Sequence, residues 1–172
     1  MPNNSLVYFW DGASRKRGAD RLASYGAVLR VNGVVVARLG VYLGDQTNNE
    51  AEYQGALAVL RHALSMRCPR IFLYGDSKLV VSQLNGVWMC KADNLAPYYE
   101  QGLALVRDLE LSRDEGRFDM VHVYRGFKVD AGAVANAAID RWIRRTNVVI
   151  DDNWSNTHID PTVLRSLRLP AT

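Results

Sequence analysis

The chain has 172 residues, of which 48% are hydrophobic and 23% charged, so a single globular domain fits and wholesale disorder does not. No apolar run approaches the roughly 18 residues that cross a bilayer, and the opening Met1-Pro2-Asn3-Asn4-Ser5 lacks the layout of a secretory signal. Lys and Arg outnumber Asp and Glu by 21 to 18, a surplus that permits a polyanionic partner without demonstrating one.

Leu6 to Trp10 is a short apolar run that ends at Asp11-Gly12 and reads as a buried strand meeting a turn. Arg15 to Asp20 reads as a polar connection. Ser24–Leu29 and Gly33–Leu43 are predicted strands reversing at Val31-Asn32-Gly33, because Asn-Gly between β-prone runs marks a hairpin. Thr47-Asn48-Asn49 offers cap residues, and apolar residues then recur at helical spacing to about Met66. Ile71–Tyr74 is a fourth strand, ending at Gly75-Asp76. A strand that follows a crossover helix pairs in parallel with the first. Helices are predicted over Ser77–Leu84, Leu95–Leu111 and Gly132–Arg145, with a strand over Phe118–Tyr124. The order βββαβα(α)βα describes an α/β fold, a mixed sheet of five strands with helices on its faces. Residues 1–146 form the expected domain and 147–172 a C-terminal tail. That tail contains Asp151, Asp152 and Trp154 and either folds back over the sheet, docks a partner or is disordered. Cys68 and Cys90 have no partners at metal-ligand spacing and read as free thiols of a reducing, intracellular setting.

Asp11 and Asp76 each stand at the C-terminal end of a buried strand. If those strands are parallel neighbours, the two carboxylates lie about one strand spacing, roughly 5 Å, apart. Glu52, near the start of the connecting helix, faces the same edge. Each acid alone could be a cap or turn former. Three together repel one another unless a cation bridges them. A donor set of oxygens without His or Cys suits a hard cation, Mg²⁺ or Mn²⁺.

Three segments, Asp11-Gly12-Ala13-Ser14, Gln46 through Tyr53 and Tyr74 through Val80, resemble in order and spacing the leading motifs of type 1 ribonucleases H. The stretch from Asn85-Gly86-Val87-Trp88 through Lys91 to Asn94-Leu95 is similar to members lacking an inserted basic protrusion. The likeness runs from about Leu6 to Trp142. It implies an RNase H-like fold and hydrolysis of the RNA strand of an RNA–DNA hybrid by two Mg²⁺ ions, with Mn²⁺ as a substitute. One ion would generate the attacking hydroxide and the other would stabilise the leaving 3′-oxygen. Asp11, Glu52 and Asp76 would be the catalytic metal ligands. Gly12, Ser14, Asn48, Asn49 and Lys78 would read the minor groove and its 2′-hydroxyls. Thr47 would hold a DNA-strand phosphate, and Trp88 and Lys91 would flank the DNA strand. Thr and Asn at a helix start are also ordinary caps, and Trp88 could equally be a core residue.

One departure stands out. Members carry a fourth carboxylate in the last helix, and the matching stretch, Arg125 through Asn136, places Gly132 there. Asp130, two residues earlier, is rotated by about 200° in a continuous helix; only from a preceding loop could it reach inward. The expected consequence is weaker binding of the ion on the nucleophile side. The alternative reading is a catalytically degenerate nucleic-acid-binding module. His122 is expected to be structural, and His62 and His158 to have core or surface roles.

Overall fold

The computed structural model describes residues 5–66, 70–111, 117–123, 129–144 and 149–155, with Arg117, Val129 and Asp130 described by their backbone alone. The elements in chain order are β1 (Leu6–Arg17), β2 (Asp20–Val31), β3 (Val34–Gly44), α1 (Asn48–Met66), β4 (Arg70–Gly75), α2 (Lys78–Leu84), α3 (Ala96–Leu111), β5 (Arg117–His122), α4 (Val129–Ile143) and β6 (Val149–Asp152). They build one mixed sheet in the order β5-β4-β1-β2-β3-β6. The β2–β3 reversal is the expected Asn-Gly turn: Asn32 and Gly33 both have positive φ, 51° and 79°, as a tight hairpin demands. The parallel pairing of β1 with β4 is also present, in register from Leu6↔Ile71 to Trp10↔Gly75.

The two sides of β1 alternate. Leu6, Tyr8 and Trp10 are fully buried with Tyr53, Ala56, Val59 and Leu60 of α1. Val7 and Phe9 face the opposite way and pack with Ala131 and Val134 of α4. Helices thus cover both faces. Trp10 is wedged so tightly that a Cβ on Gly75 would lie 2.3 Å from its ring and one on Gly55 would lie 3.0 Å away. Helix α4 crosses β2 equally closely. A Cβ on Gly26 would meet the Ala131 carbonyl at 2.2 Å and the Ala135 nitrogen at 2.6 Å.

Three expectations need correction. The segment Arg15–Asp20 is no loose connection: β1 runs on to Arg17 and pairs with β2 as far as Arg17↔Asp20. Polar residues obscured this, because past Trp10 only Ala13 of β1 is buried, and a single small residue displays no alternation. Secondly, α4 begins at Val129 rather than Gly132, so Asp130 is part of the helix backbone and not of a preceding loop. Thirdly, the sheet has six strands instead of five, and it extends past residue 146.

The added strand, β6, pairs antiparallel with β3 from Val41↔Val149 to Leu39↔Asp151. Beyond it Trp154 is buried to 6% exposure against Tyr8 and His62. Residues 149–155 therefore fold back over the sheet, the first of the three fates expected of the tail. The connection is specific. One nitrogen of His62, Nδ1, lies 2.6 Å from the Tyr8 hydroxyl, and Nε2 lies 3.0 Å from the Trp154 carbonyl. The Asp151 carboxylate accepts from the Trp154 and Ser155 amides at 3.0 and 3.1 Å, closing the turn. His62 is thus a core residue, one of the two roles expected of it. His158, Cys68 and Tyr124 lie outside the described residues.

Burial pushes the His62 pKa below its ordinary value of 6.5, the Trp154 carbonyl and Asp151 opposing this less strongly. A depressed folded value means that stability is full above the unfolded pKa and declines as pH falls through it. We expect the melting temperature to drop between pH 7 and pH 5, and His62→Gln to flatten that drop. Trp154→Ala should cost about 3 kcal/mol in denaturant unfolding, the loss typical of a buried aromatic. Gly26→Ala should cost about 1–3 kcal/mol by lifting α4 off the sheet.

Candidate active site

The in-register pairing that ends at Trp10↔Gly75 places the next residues, Asp11 and Asp76, side by side at the same sheet edge. Glu52 joins them from the second turn of α1. One carboxylate oxygen from each of the three lies within 4.8 Å of the others. Two unit charges this close repel by roughly 1 kcal/mol in water and several kcal/mol at an effective dielectric near 20. Such a set, made only of carboxylate oxygens, fits a hard divalent cation.

Each acid is held by its own surroundings. Glu52 is only 3% exposed, and its Oε1 accepts the Gly12 amide at 3.0 Å. This bond links the turn after Asp11 to the helix bearing Glu52. Gly12 itself must stay small, since a Cβ there would lie 3.0 Å from the Glu52 nitrogen. The start of α1 is fixed by a reciprocal cap. Thr47 Oγ1 accepts the Glu50 amide at 3.1 Å while Glu50 Oε1 accepts the Thr47 amide at 2.9 Å. Thr47 is therefore a cap, and Asn48 and Asn49 stand exposed on the first turn of α1. After Asp76, Ser77 caps α2 by accepting the Val80 amide at 3.2 Å.

His122, at the end of β5, lies with Nε2 3.1 Å from the Asp76 carbonyl. The sequence marks this residue only as structural; its contact with the Asp76 backbone depends on the β4–β5 pairing, which brings Gly75 level with His122.

Across from Asp11 stands α4, and Gly132 faces the cluster. A Cβ built on it would lie 2.9 Å from Asp11 Oδ2. Gly132 is thus the α4 residue directed at the acids, and it brings no carboxylate. Helix α4 is tied to β1 by Arg15, whose Nη1 meets Asp140 Oδ1 at 2.8 Å and whose Nη2 donates to Asn136 Oδ1 and O at 3.1 Å. That guanidinium holds the Asp140 pKa below the usual carboxylate value.

The remaining sequence candidates lie on β1, at the start of α2 and in the segment that follows α2. Gly12 and Lys78 differ in exposure, the first half-buried and the second exposed, and Ser14 and Lys91 are exposed. Trp88 is not a core tryptophan: it is 43% exposed, with Lys78 Nζ 5.8 Å from its ring centre.

With this geometry in place, comparison with known proteins is direct. The family model described as "Reverse transcriptase-like" matches residues 10–138, three-quarters of the chain. A ribonuclease H1 structure from the archaeon Halobacterium salinarum NRC-1 is 34% identical with a TM-score of 0.66, covering 79% of this chain and 98% of that one. The chain belongs to the type 1 ribonuclease H family. The N-terminal RNase H domain of Rv2228c from Mycobacterium tuberculosis is also 34% identical, with a TM-score of 0.68, covering 79% of this chain and 99% of that structure. Against full-length curated relatives the match is shorter. The chain is 37% identical to the Halobacterium ribonuclease HI over 133 residues, 77% of this chain and 63% of that protein. For the mycobacterial bifunctional protein the identity is 35%, covering 76% of this chain and 34% of the relative. The fold is that of the ribonucleases H, the sixth strand being additional to the five expected.

His122→Ala should loosen the Asp76 strand end without unfolding the sheet. A divalent-ion titration followed by thermal shift should then show an affinity lower by about tenfold, the loss usual when the group behind a metal ligand is removed.

Proposed function

We propose that this chain cleaves the RNA strand of RNA–DNA hybrids, with Mg²⁺ held by Asp11, Glu52 and Asp76 and Mn²⁺ able to replace it. The observation that carries the reading is the meeting of these three carboxylates within 4.8 Å at one sheet edge. When bound, divalent ions supply activation of a water for in-line attack and charge stabilisation of the leaving 3′-oxygen. The protein's own part is positional. The Gly12 amide aims Glu52, the Trp10 wedge levels Asp11 with Asp76, and His122 holds the Asp76 backbone. The products are a 5′-phosphate and a 3′-hydroxyl.

Substrate contacts follow from what surrounds the acids. Gly12, Ser14, Asn48, Asn49 and Lys78 present small or polar groups to the minor groove, where 2′-hydroxyls separate RNA from DNA. Trp88 offers a face for sugar stacking and Lys91 a charge for phosphate, both on the DNA strand, and Thr47 binds a phosphate of that strand beside its capping duty. The ribonuclease H-like domain is taken as residues 1–146, with β6 from the C-terminal segment joining its sheet, and the setting is intracellular, in keeping with the free thiol of Cys90. Among the described residues no helix is long and apolar enough to cross a membrane.

A second reading, a hybrid-binding module that cleaves poorly, is favoured by Gly132 alone, since it faces Asp11 without a carboxylate. A labelled-hybrid assay with Mg²⁺ and Mn²⁺ titrated separately distinguishes the two. Cleavage under either metal supports the enzyme; intact binding without cleavage under both supports the module. Asp11→Asn, Glu52→Gln and Asp76→Asn should each reduce cleavage by more than about a hundredfold, since losing a ligand exceeds the effect of losing the group behind it. Gly132→Asp should lower the Mg²⁺ concentration for half-maximal cleavage by roughly tenfold and tighten Mn²⁺ binding. No change in either would mean that residue 132 cannot serve as a ligand position.

A further inference from the structure

The ribbon formed by β1 and β2 continues beyond the acids, and past Ser14 it has no part in the reading above. The two strands stay in register from Leu6↔Val31 to Arg17↔Asp20, whereas β4 leaves β1 at Trp10↔Gly75. From Asp11 onward the ribbon therefore extends past β4 for about 20 Å, at roughly 3.4 Å per residue. Its two faces differ. On one, Ala13 packs with Ala135 and Ile139 and Arg15 binds Asn136 and Asp140, so α4 covers it. On the other, Gly12 lies against the start of α1, and Ser14 and Lys16 follow on that same side.

Lys16 stands directly opposite Arg21 in the ladder. Like charges at directly opposed positions destabilise a hairpin. Asp20, which the ladder pairs with Arg17, and Asp45 both border the shallow depression that Lys16 and Arg21 line. With Arg17 at the end of the same ladder, the ribbon tip sets three cations against these two acids. A cationic pair retained against its own repulsion, on the open face leading from the acids, suits a polyanion.

We propose that Lys16 and Arg21 grip the sugar-phosphate backbone of the hybrid about five base pairs from the scissile phosphate. For a hybrid running along β1, the spacing follows from the five residue steps from Asp11 to Lys16, about 17 Å, against roughly 3.4 Å per nucleotide along a duplex strand. This inference extends the hybrid-cleavage reading and rests on it.

The test is the Lys16→Ala/Arg21→Ala double variant of the full chain, with Arg107→Ala on α3 as a control for loss of a distant surface charge. Hybrids carry one fixed cut site and either 12 or 3 base pairs on each flank. On the hybrid long on both flanks, KM should rise about tenfold at 0.1 M salt. The slope of log affinity against log salt should shrink by about two, one for each phosphate the variant no longer neutralises. Shortening one particular flank should erase the difference between wild type and double variant; shortening the other should preserve it. Arg107→Ala should behave as wild type throughout. An equal loss on long and short hybrids, or no loss on any, overturns the ribbon contact while leaving the cleavage reading intact. If the wild-type chain neither cleaves nor binds hybrid in a gel shift, both readings fall.

Discussion

Mutual repulsion among three carboxylates is the force the rest of this protein is built to withstand. Asp11, Glu52 and Asp76 come from two strand ends and a helix, and left to themselves they would separate. They are held because each is anchored by something apolar or hydrogen-bonded that the repulsion cannot move cheaply. Trp10 is clamped between Gly55 and Gly75, so β1 and β4 cannot slide past one another. Glu52 is buried and takes the Gly12 amide, so α1 cannot retreat from the turn after Asp11. The strain so contained is electrostatic and local, which is the condition that makes a divalent cation a stabilising ligand for the folded chain.

Helix α4 completes the edge in an unusual manner. Close approach over Gly26 and Gly40, together with the Arg15–Asp140 pair, sets its N-terminal turn against Asp11. At the point of nearest approach stands Gly132, which has no side chain to offer. At Gly132 the helix therefore shields the Asp11 side without contributing charge. In physical terms this lowers the repulsion within the cluster and, equally, removes one attraction for a second cation.

The order of elements was legible because the apolar runs are bounded by turn chemistry: Asp11-Gly12, Asn32-Gly33 and Gly75-Asp76 each interrupt a β-prone stretch. The three acids were legible from the same boundaries, two where a buried run ends and one where the connecting helix starts. The ribbon from Asp11 to Arg17 was not, since Arg15, Lys16 and Arg17 have no hydrophobic alternation, and their pairing is stabilised by the neighbouring strand. Nor was β6 legible. Val149 to Asp152 is too short to display a period, and its place is decided by the exposed edge of β3 and by the packing of Trp154 against His62.

Sequence alone therefore determined which acids meet at the sheet edge, because residue type and spacing along the chain are enough to put acids at the ends of buried strands. It also determined the absence of an acid at position 132. Tertiary structure decided what surrounds them: that Gly132 looks straight at Asp11, that His122 supports the Asp76 backbone, and that a basic ribbon leads away from the site. These depend on contacts between segments up to about 120 residues apart, Asp11 and Gly132 among them. No local pattern encodes such contacts; they exist only once the sheet has set the register of every strand against its neighbour.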